Sequence, residues 1–172
     1  MDAIEIAAKL MELSAVTAPK SKGVNFVQTL VLTGGALQDL AEAMVRFGER
    51  TGKKDFDRDA RGVARSGAVV LIGVKGAKAV GLDCGACGFP DCKSFEQQAK
   101  RSQEFSGPTC AFRLLDMGIA LGSAVKTAGL LNVDNRIMYR IGTVARETQI
   151  VDWDFVMGIP LSATGKNIFF DR

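Results

Sequence analysis

Ala68-Val69-Val70-Leu71-Ile72-Gly73-Val74 is the stretch that says most about how this chain folds. It is a run of seven residues without a charge, rich in β-branched types, and it predicts a strand buried on both faces and therefore central in a sheet. Working outward, residues 56–65 read as a polar helix that stops at Ser66-Gly67, with Thr51-Gly52-Lys53-Lys54 as the loop before it. Residues 36–50 predict a helix entered through the turn Thr33-Gly34-Gly35, and residues 26–32 a short strand. At the start, Ile4, Ala7, Ala8, Leu10, Met11 and Ala15 recur with a helical period over residues 3–16, and Pro19 stands just beyond.

Downstream of the central strand the texture changes. Residues 76–110 are rich in Gly, Lys and Cys and have little periodicity. They predict a segment built around a metal site and inserted into a single domain spanning residues 1–172. Residues 110–131 are helical in period and almost wholly apolar, so a buried helix is expected, with Gly118, Ala120, Gly122, Ser123 and Ala124 admitting a close neighbour. Residues 136–141 and 152–159 predict further strands, with a short helix near residues 143–148. From Pro160 the tail is polar except for Ile168-Phe169-Phe170, which is expected to cover something.

Composition narrows the function. The 172 residues can bury a real core, and 47% apolar with 24% charged is the balance of a soluble globular protein. A net charge of +3 with no block of like charges, one Trp and one Tyr argues against a nucleic-acid partner. The acids in Met1-Asp2-Ala3-Ile4-Glu5 do not suit a secretory signal, and the longest apolar stretch, 117–131, is broken by Lys126 and too short to span a bilayer. A cytoplasmic protein with no membrane partner is expected, where thiols stay reduced and clustered cysteines are ligands or catalysts. The chain has no histidine, which removes His-based acid–base catalysis and every His-containing metal site.

All four cysteines fall at Cys84, Cys87, Cys92 and Cys110, in the spacing C-x2-C-x4-C-x17-C. A cubane [4Fe–4S] cluster takes four thiolates converging on a compact core. In Cys84-Gly85-Ala86-Cys87-Gly88-Phe89-Pro90-Asp91-Cys92 the glycines suit a tight loop with positive φ, leaving backbone N–H groups to point at sulfur. Cys92 precedes one expected helix and Cys110 opens another, where the helix dipole favours thiolate. A four-cysteine zinc site is the rival, although only one pair has the C-x2-C knuckle spacing; disulfides and a thioredoxin-like pair are further alternatives. Gly158-x6-Gly165-Lys166 has the wrong spacing for a phosphate loop.

These residues resemble known families. Cys-Gly-Ala-Cys-Gly-Phe-Pro-Asp-Cys with the later Cys110 is similar to the cluster motif of Rnf-complex B subunits and corrinoid iron–sulfur proteins. That resemblance implies a [4Fe–4S] cluster on the four cysteines. The stretches Asp116-Met117-Gly118-Ile119-Ala120-Leu121-Gly122 and Met157-Gly158-Ile159-Pro160-Leu161-Ser162-Ala163-Thr164-Gly165-Lys166-Asn167 look like a family of uncharacterised ferredoxin-domain proteins of anaerobic bacteria and archaea. The flanks, including Ser14-Ala15-Val16-Thr17-Ala18-Pro19-Lys20-Ser21, are more distantly similar to FMN-dependent nitroreductases. This implies an α+β fold, an antiparallel sheet packed by helices, and an intertwined homodimer with the small-residue helix at its centre and Phe169-Phe170 against the partner. The arginine-rich, phosphate-binding segment that precedes the first long helix in that family has no match here. Lys20, Lys22, Asn25, Lys166 and Arg172 are then the candidates for FMN, their other reading being solvated charges.

Three functions follow from these readings. The first is an electron-transfer protein whose cluster serves a redox partner protein or a small-molecule electron acceptor. The second is an FMN-dependent oxidoreductase fed by the cluster, and the third a non-enzymatic zinc or structural metal module.

Overall fold

The computed structural model describes residues 2–170. In chain order its elements are α1 (Ala3–Thr17), β1 (Val27–Leu32), α2 (Gly35–Thr51), α3 (Phe56–Ala64), β2 (Ala68–Val74), α4 (Cys92–Glu96), the hairpin strands β3 (Arg101–Ser102) and β4 (Ser106–Gly107), α5 (Ala111–Leu130), β5 (Asp134–Asn135), α6 (Tyr139–Glu147) and β6 (Phe155–Ser162). The main sheet has the order β1-β2-β6-β5, with every pairing antiparallel. All seven residues of β2 are buried, and a neighbour lies on each side of it.

Side chains alternate across a strand, so β2 feeds two cores. Ala68, Val70, Ile72 and Val74 pack, with Ile159 and Leu161 of β6, against Ala8 and Met11 of α1 and Ala120, Ala124 and Ala128 of α5. Val69, Leu71 and Val156 face the other way, into a layer formed by α2 (Leu40, Met44), α3 (Phe56, Val63) and α6 (Ile141, Val144). The result is an α+β architecture with an antiparallel sheet between two helical layers. α1 begins with a capping box, in which Asp2 Oδ1 accepts from Glu5 N at 2.9 Å and Glu5 reaches back to Asp2 N. No helix among the described residues is long and apolar enough to cross a membrane.

Four expectations are corrected. Residues 136–141 do not form a strand: β5 ends before them at Asn135, their one pairing is a single bridge from Met138 to Gly158, and α6 begins at Tyr139. Met138, Ile141, Val144 and Ala145 are buried together at helical spacing, and that period decides the outcome. The last strand starts at Phe155 rather than 152 and runs past Pro160 to Ser162, so the tail begins later than expected. α5 is not wholly buried, since Leu115 (58%), Ile119 (47%) and Leu130 (73%) are exposed and Gly118 and Gly122 look into open space. Phe169 is buried in its own chain over Gly62, while Phe170 is exposed beside the Arg136 guanidinium.

α6 lies against β6 at a distance that glycine alone permits. A Cβ on Gly142 would stand 1.9 Å from Val156 O, and one on Gly158 2.1 Å from Ile141 Cγ2. Gly142→Ala is therefore expected to lower stability by about 1–3 kcal/mol or more through overpacking. A urea unfolding curve measures this, with Gly35→Ala as the control: the open start of α2 has no neighbour within 4 Å, and its midpoint should hold or rise slightly.

Candidate metal centre

Residues 75–110 leave the sheet at the end of β2 and return at the start of α5, and Asp154 ties their ends together. Its backbone N–H donates to Val74 O (2.8 Å) and its carbonyl accepts from Ser106 N (2.8 Å). Its carboxylate accepts from Gly76 N (2.7 Å) and Lys100 Nζ (2.6 Å). On the other side, Arg146 of α6 holds the β3–β4 hairpin through the carbonyl of Glu104 and the hydroxyl of Ser106 (2.9 Å).

Inside this frame the cysteines come together. Cys84, Cys87, Cys92 and Cys110 all line one narrow cavity, with Gly85, Phe89, Ala111 and Phe112. Its outer wall, residues 84–86, is exposed, so nothing packs over it. Cys110 is buried, Cys87 and Cys92 are half-buried, and Cys84 is exposed. Gly85 (φ 69°) and Gly88 (φ 85°) have the left-handed backbone that the loop requires. The expectation that both glycine N–H groups are free is corrected at Gly88, whose N–H donates to Gly85 O at 2.9 Å and closes the turn.

Two aspartates fix the third cysteine. Asp83 Oδ1 accepts from Cys92 N at 2.8 Å, and Asp91 caps α4 by accepting from Ser94 N at 2.7 Å. The backbone N–H and hydroxyl of Ser94 hold the Asp91 carboxyl below its ordinary range. Cys92 opens α4 and Cys110 is the cap residue of α5, as expected, although α4 is only five residues long. Val80, Phe95 and Cys110 form a small apolar cluster with Cys87, Phe89 and Phe112 against it. Among the described residues no group of three or more Cys, Asp or Glu has the spacing to hold a single metal ion.

Sequence reasoning missed the pair one turn into α5. Arg113 and Asp116 are both 3% exposed and meet at 3.1 Å. Arg113 donates to the carbonyls of Lys78, Ser21 and Val24, each at 3.1 Å, and its guanidinium lies 4.8 Å from the centre of the Phe26 ring. Asp116 Oδ1 accepts from the Ser21 N–H and hydroxyl, both at 2.7 Å. This pair joins the cysteine segment, α5 and the turn after α1. The only signal was two opposite charges at i, i+3 in the first turns of a largely apolar helix.

The candidates for a flavin are less concentrated. Lys20, Lys22 and Asn25 share the turn after α1. Lys20 Nζ is occupied by the carbonyls of Ala15 (2.7 Å) and Val16 (2.6 Å), and partial burial pushes its pKa down against the pull of Asp116. Asn25 Oδ1 accepts from Val27 N at 2.9 Å, and Lys22 sits in a left-handed turn (φ 54°). Lys166 follows β6, next to Asn167, whose amide donates to Asp134. Arg172 lies outside the described residues.

The model of a family described as "uncharacterized protein containing a ferredoxin domain" matches residues 106–172, a span that includes Cys110. An uncharacterized protein of Archaeoglobus fulgidus is 48% identical over 171 residues, covering 99% of this chain and 92% of that one. The chain belongs to this ferredoxin-domain family. Its fold is that of the nitroreductases. A nitroreductase family protein from Clostridium novyi NT superposes with a TM-score of 0.59 at 16% identity, over 98% of this chain and 79% of that one. The FMN-dependent nitroreductase NfnB from Mycobacterium smegmatis, solved in complex with NADPH, gives 0.59 at 14% identity, over 96% and 80%. Nitroreductase CinD from Lactococcus lactis, in complex with nicotinic acid, gives 0.60 at 14%, over 99% and 86%. This chain therefore carries its four cysteines on a nitroreductase-like fold.

Arg113→Gln leaves Asp116 buried without its cation and is expected to cost about 3–5 kcal/mol. Replacing both residues together, Arg113→Met with Asp116→Leu, should cost clearly less. Unfolding midpoints of the two variants measure the difference.

Proposed function

We propose that this protein binds one [4Fe–4S] cluster through Cys84, Cys87, Cys92 and Cys110 and works as a one-electron redox protein in a reducing, cytoplasmic setting. The observation that carries the reading is one cavity lined by all four cysteines. The donor set is wholly thiolate, which suits iron–sulfur clusters and zinc. Structural zinc sites usually present two C-x2-C knuckles, and only Cys84 and Cys87 have that spacing. In this reading residues 1–172 are one domain and residues 76–110 its inserted iron–sulfur segment.

When bound, such a cluster supplies one-electron transfer. The chain's own residues do the rest. Asp83 and Asp91 hold Cys92 in place, and Arg113 holds the carbonyl of Lys78, upstream of Cys84, to the helix that Cys110 caps. Phe89, Phe95 and Phe112 keep water from the inner side. Cys84, the exposed ligand, marks where a redox partner protein approaches.

Fold likeness to an FMN-dependent nitroreductase favours a second reading, a flavin oxidoreductase fed by the cluster. Its weakness is Lys20, whose ammonium is already spent on α1. A spectrum of protein purified without oxygen separates the readings: broad absorbance bleached by dithionite marks the cluster, resolved flavin bands mark FMN, and a colourless zinc protein defeats both. Cys87→Ser should abolish the broad absorbance and the iron content; survival of both would show that Cys87 is no ligand.

The same reading includes a homodimer. Ile6, Leu10, Leu13 and Val16 of α1 and Leu115, Ile119 and Leu130 of α5 are exposed. The two helices are neighbours, joined by the Ser14–Thr127 hydroxyl pair at 2.6 Å, and in this reading their exposed apolar residues are what a second copy covers. A Cβ added at Gly122 would meet nothing within 4 Å beyond its own helix. Gly122→Leu should therefore fold normally yet sediment at half the mass of the parent; an unchanged mass would place the interface elsewhere.

A further inference from the structure

We infer that Asp83 is a positioning residue that lowers the reduction potential of the cysteine site, by engaging the Cys92 N–H and holding a negative charge next to Cys84. This rests on the iron–sulfur reading and adds to it a residue that sets how strongly the site holds an electron.

Asp83 stands immediately before Cys84, and its Oδ1 accepts from Cys92 N at 2.8 Å. One carboxylate thus joins the chain at the first cysteine to the chain at the third. Asp83 is exposed, and its backbone is left-handed at φ 48°. Aspartate, asparagine and glycine are the residues best tolerated in that conformation.

The donor that Asp83 takes is the one that matters to a bound cluster. The first N–H groups of a helix have no partner within it. In α4, Asp91 accepts that of Ser94 at 2.7 Å and Asp83 that of Cys92. Only Cα and Cβ separate the Cys92 nitrogen from its own sulfur. A free N–H so close to a ligating sulfur favours the extra electron of a reduced cluster. Bonded to a carboxylate, that donor is spent and an anion stands beside it, which disfavours the electron.

No cation cancels this charge at close range. Among the described residues no ion pair joins Asp83 to a Lys or Arg. The Lys22 ammonium comes up to the same loop, 3.7 Å from where a Cβ on Gly81 would stand, without pairing with Asp83. Such neighbouring charges act on parent and variant alike, so a comparison of the two isolates Asp83.

The full chain, purified without oxygen, is titrated with dithionite against dye mediators. The broad absorbance and the EPR signal of the reduced state report the potential, and iron is measured on every sample. Asp83→Gly suits the left-handed backbone and removes both the bond and the charge, whereas Asp83→Asn keeps an acceptor for Cys92 N and removes only the charge. At a fixed ambient potential the reduced-to-oxidised ratio should rise about tenfold in Asp83→Gly, about 59 mV for one electron, and by less in Asp83→Asn. Asp57→Asn, which removes an exposed charge on α3 outside the cysteine segment, should leave the potential where it was. Iron-bearing Asp83→Gly and Asp83→Asn with the parent's potential overturn the inference and leave the cluster standing. If Asp83→Gly loses its iron, Asp83→Asn decides: a raised potential upholds the role and an unchanged one overturns it. Parent protein without iron defeats the cluster reading, and the role of Asp83 falls with it.

Discussion

Seven residues of β2 lie wholly out of water, and backbone amides are tolerated there only when each finds a partner. The antiparallel ladders to β1 and β6 supply those partners along the strand, and its two apolar faces then demand a helical layer apiece. α1 and α5 cover one face, and α2, α3 and α6 the other. From that requirement comes the position of α5 and, with it, the position of Cys110 at the head of the helix. A thiol anchored to the helix that covers the sheet moves only if the sheet moves.

The cysteine loop itself has almost no core of its own. Its order is set by short polar contacts: Asp83 to the Cys92 N–H, Asp91 as a helix cap, and the Gly85–Gly88 turn. Arg113 and Asp116 add a buried link from the start of the loop, at Lys78, to the turn after α1. Burying such a pair is expensive unless every polar atom is satisfied, and here the surrounding carbonyls and Ser21 largely meet that condition. The site is therefore stiff on its inner side and soft on its outer one, where Cys84 meets solvent.

Much of this was legible in the chain because its signals are local. An uninterrupted apolar run marks β2, a helical period marks α1 and α2, and a four-cysteine spacing marks one cavity. Residues 136–141 misled because isoleucine and tyrosine favour strands singly, while the longer period through Val144 and Ala145 makes a helix. Arg113 and Asp116 were invisible because their partners are carbonyls and a serine distant in sequence. Lys20 looked free as a cation for the same reason, its partners being the last carbonyls of the preceding helix. The apolar face of α5 shows that hydrophobic content alone does not say what covers a residue, the chain itself or something else.

Asp154 has a consequence for how such a molecule changes over time. By gripping Val74, Gly76, Lys100 and Ser106, it fixes where residues 75–106 leave the sheet and where they come back. The returning arm is further pinned by Phe105 stacked on Phe155 and by Arg146 on the hairpin. A change of length between those fixed points is therefore taken up in the loop and leaves the register of the last strand alone.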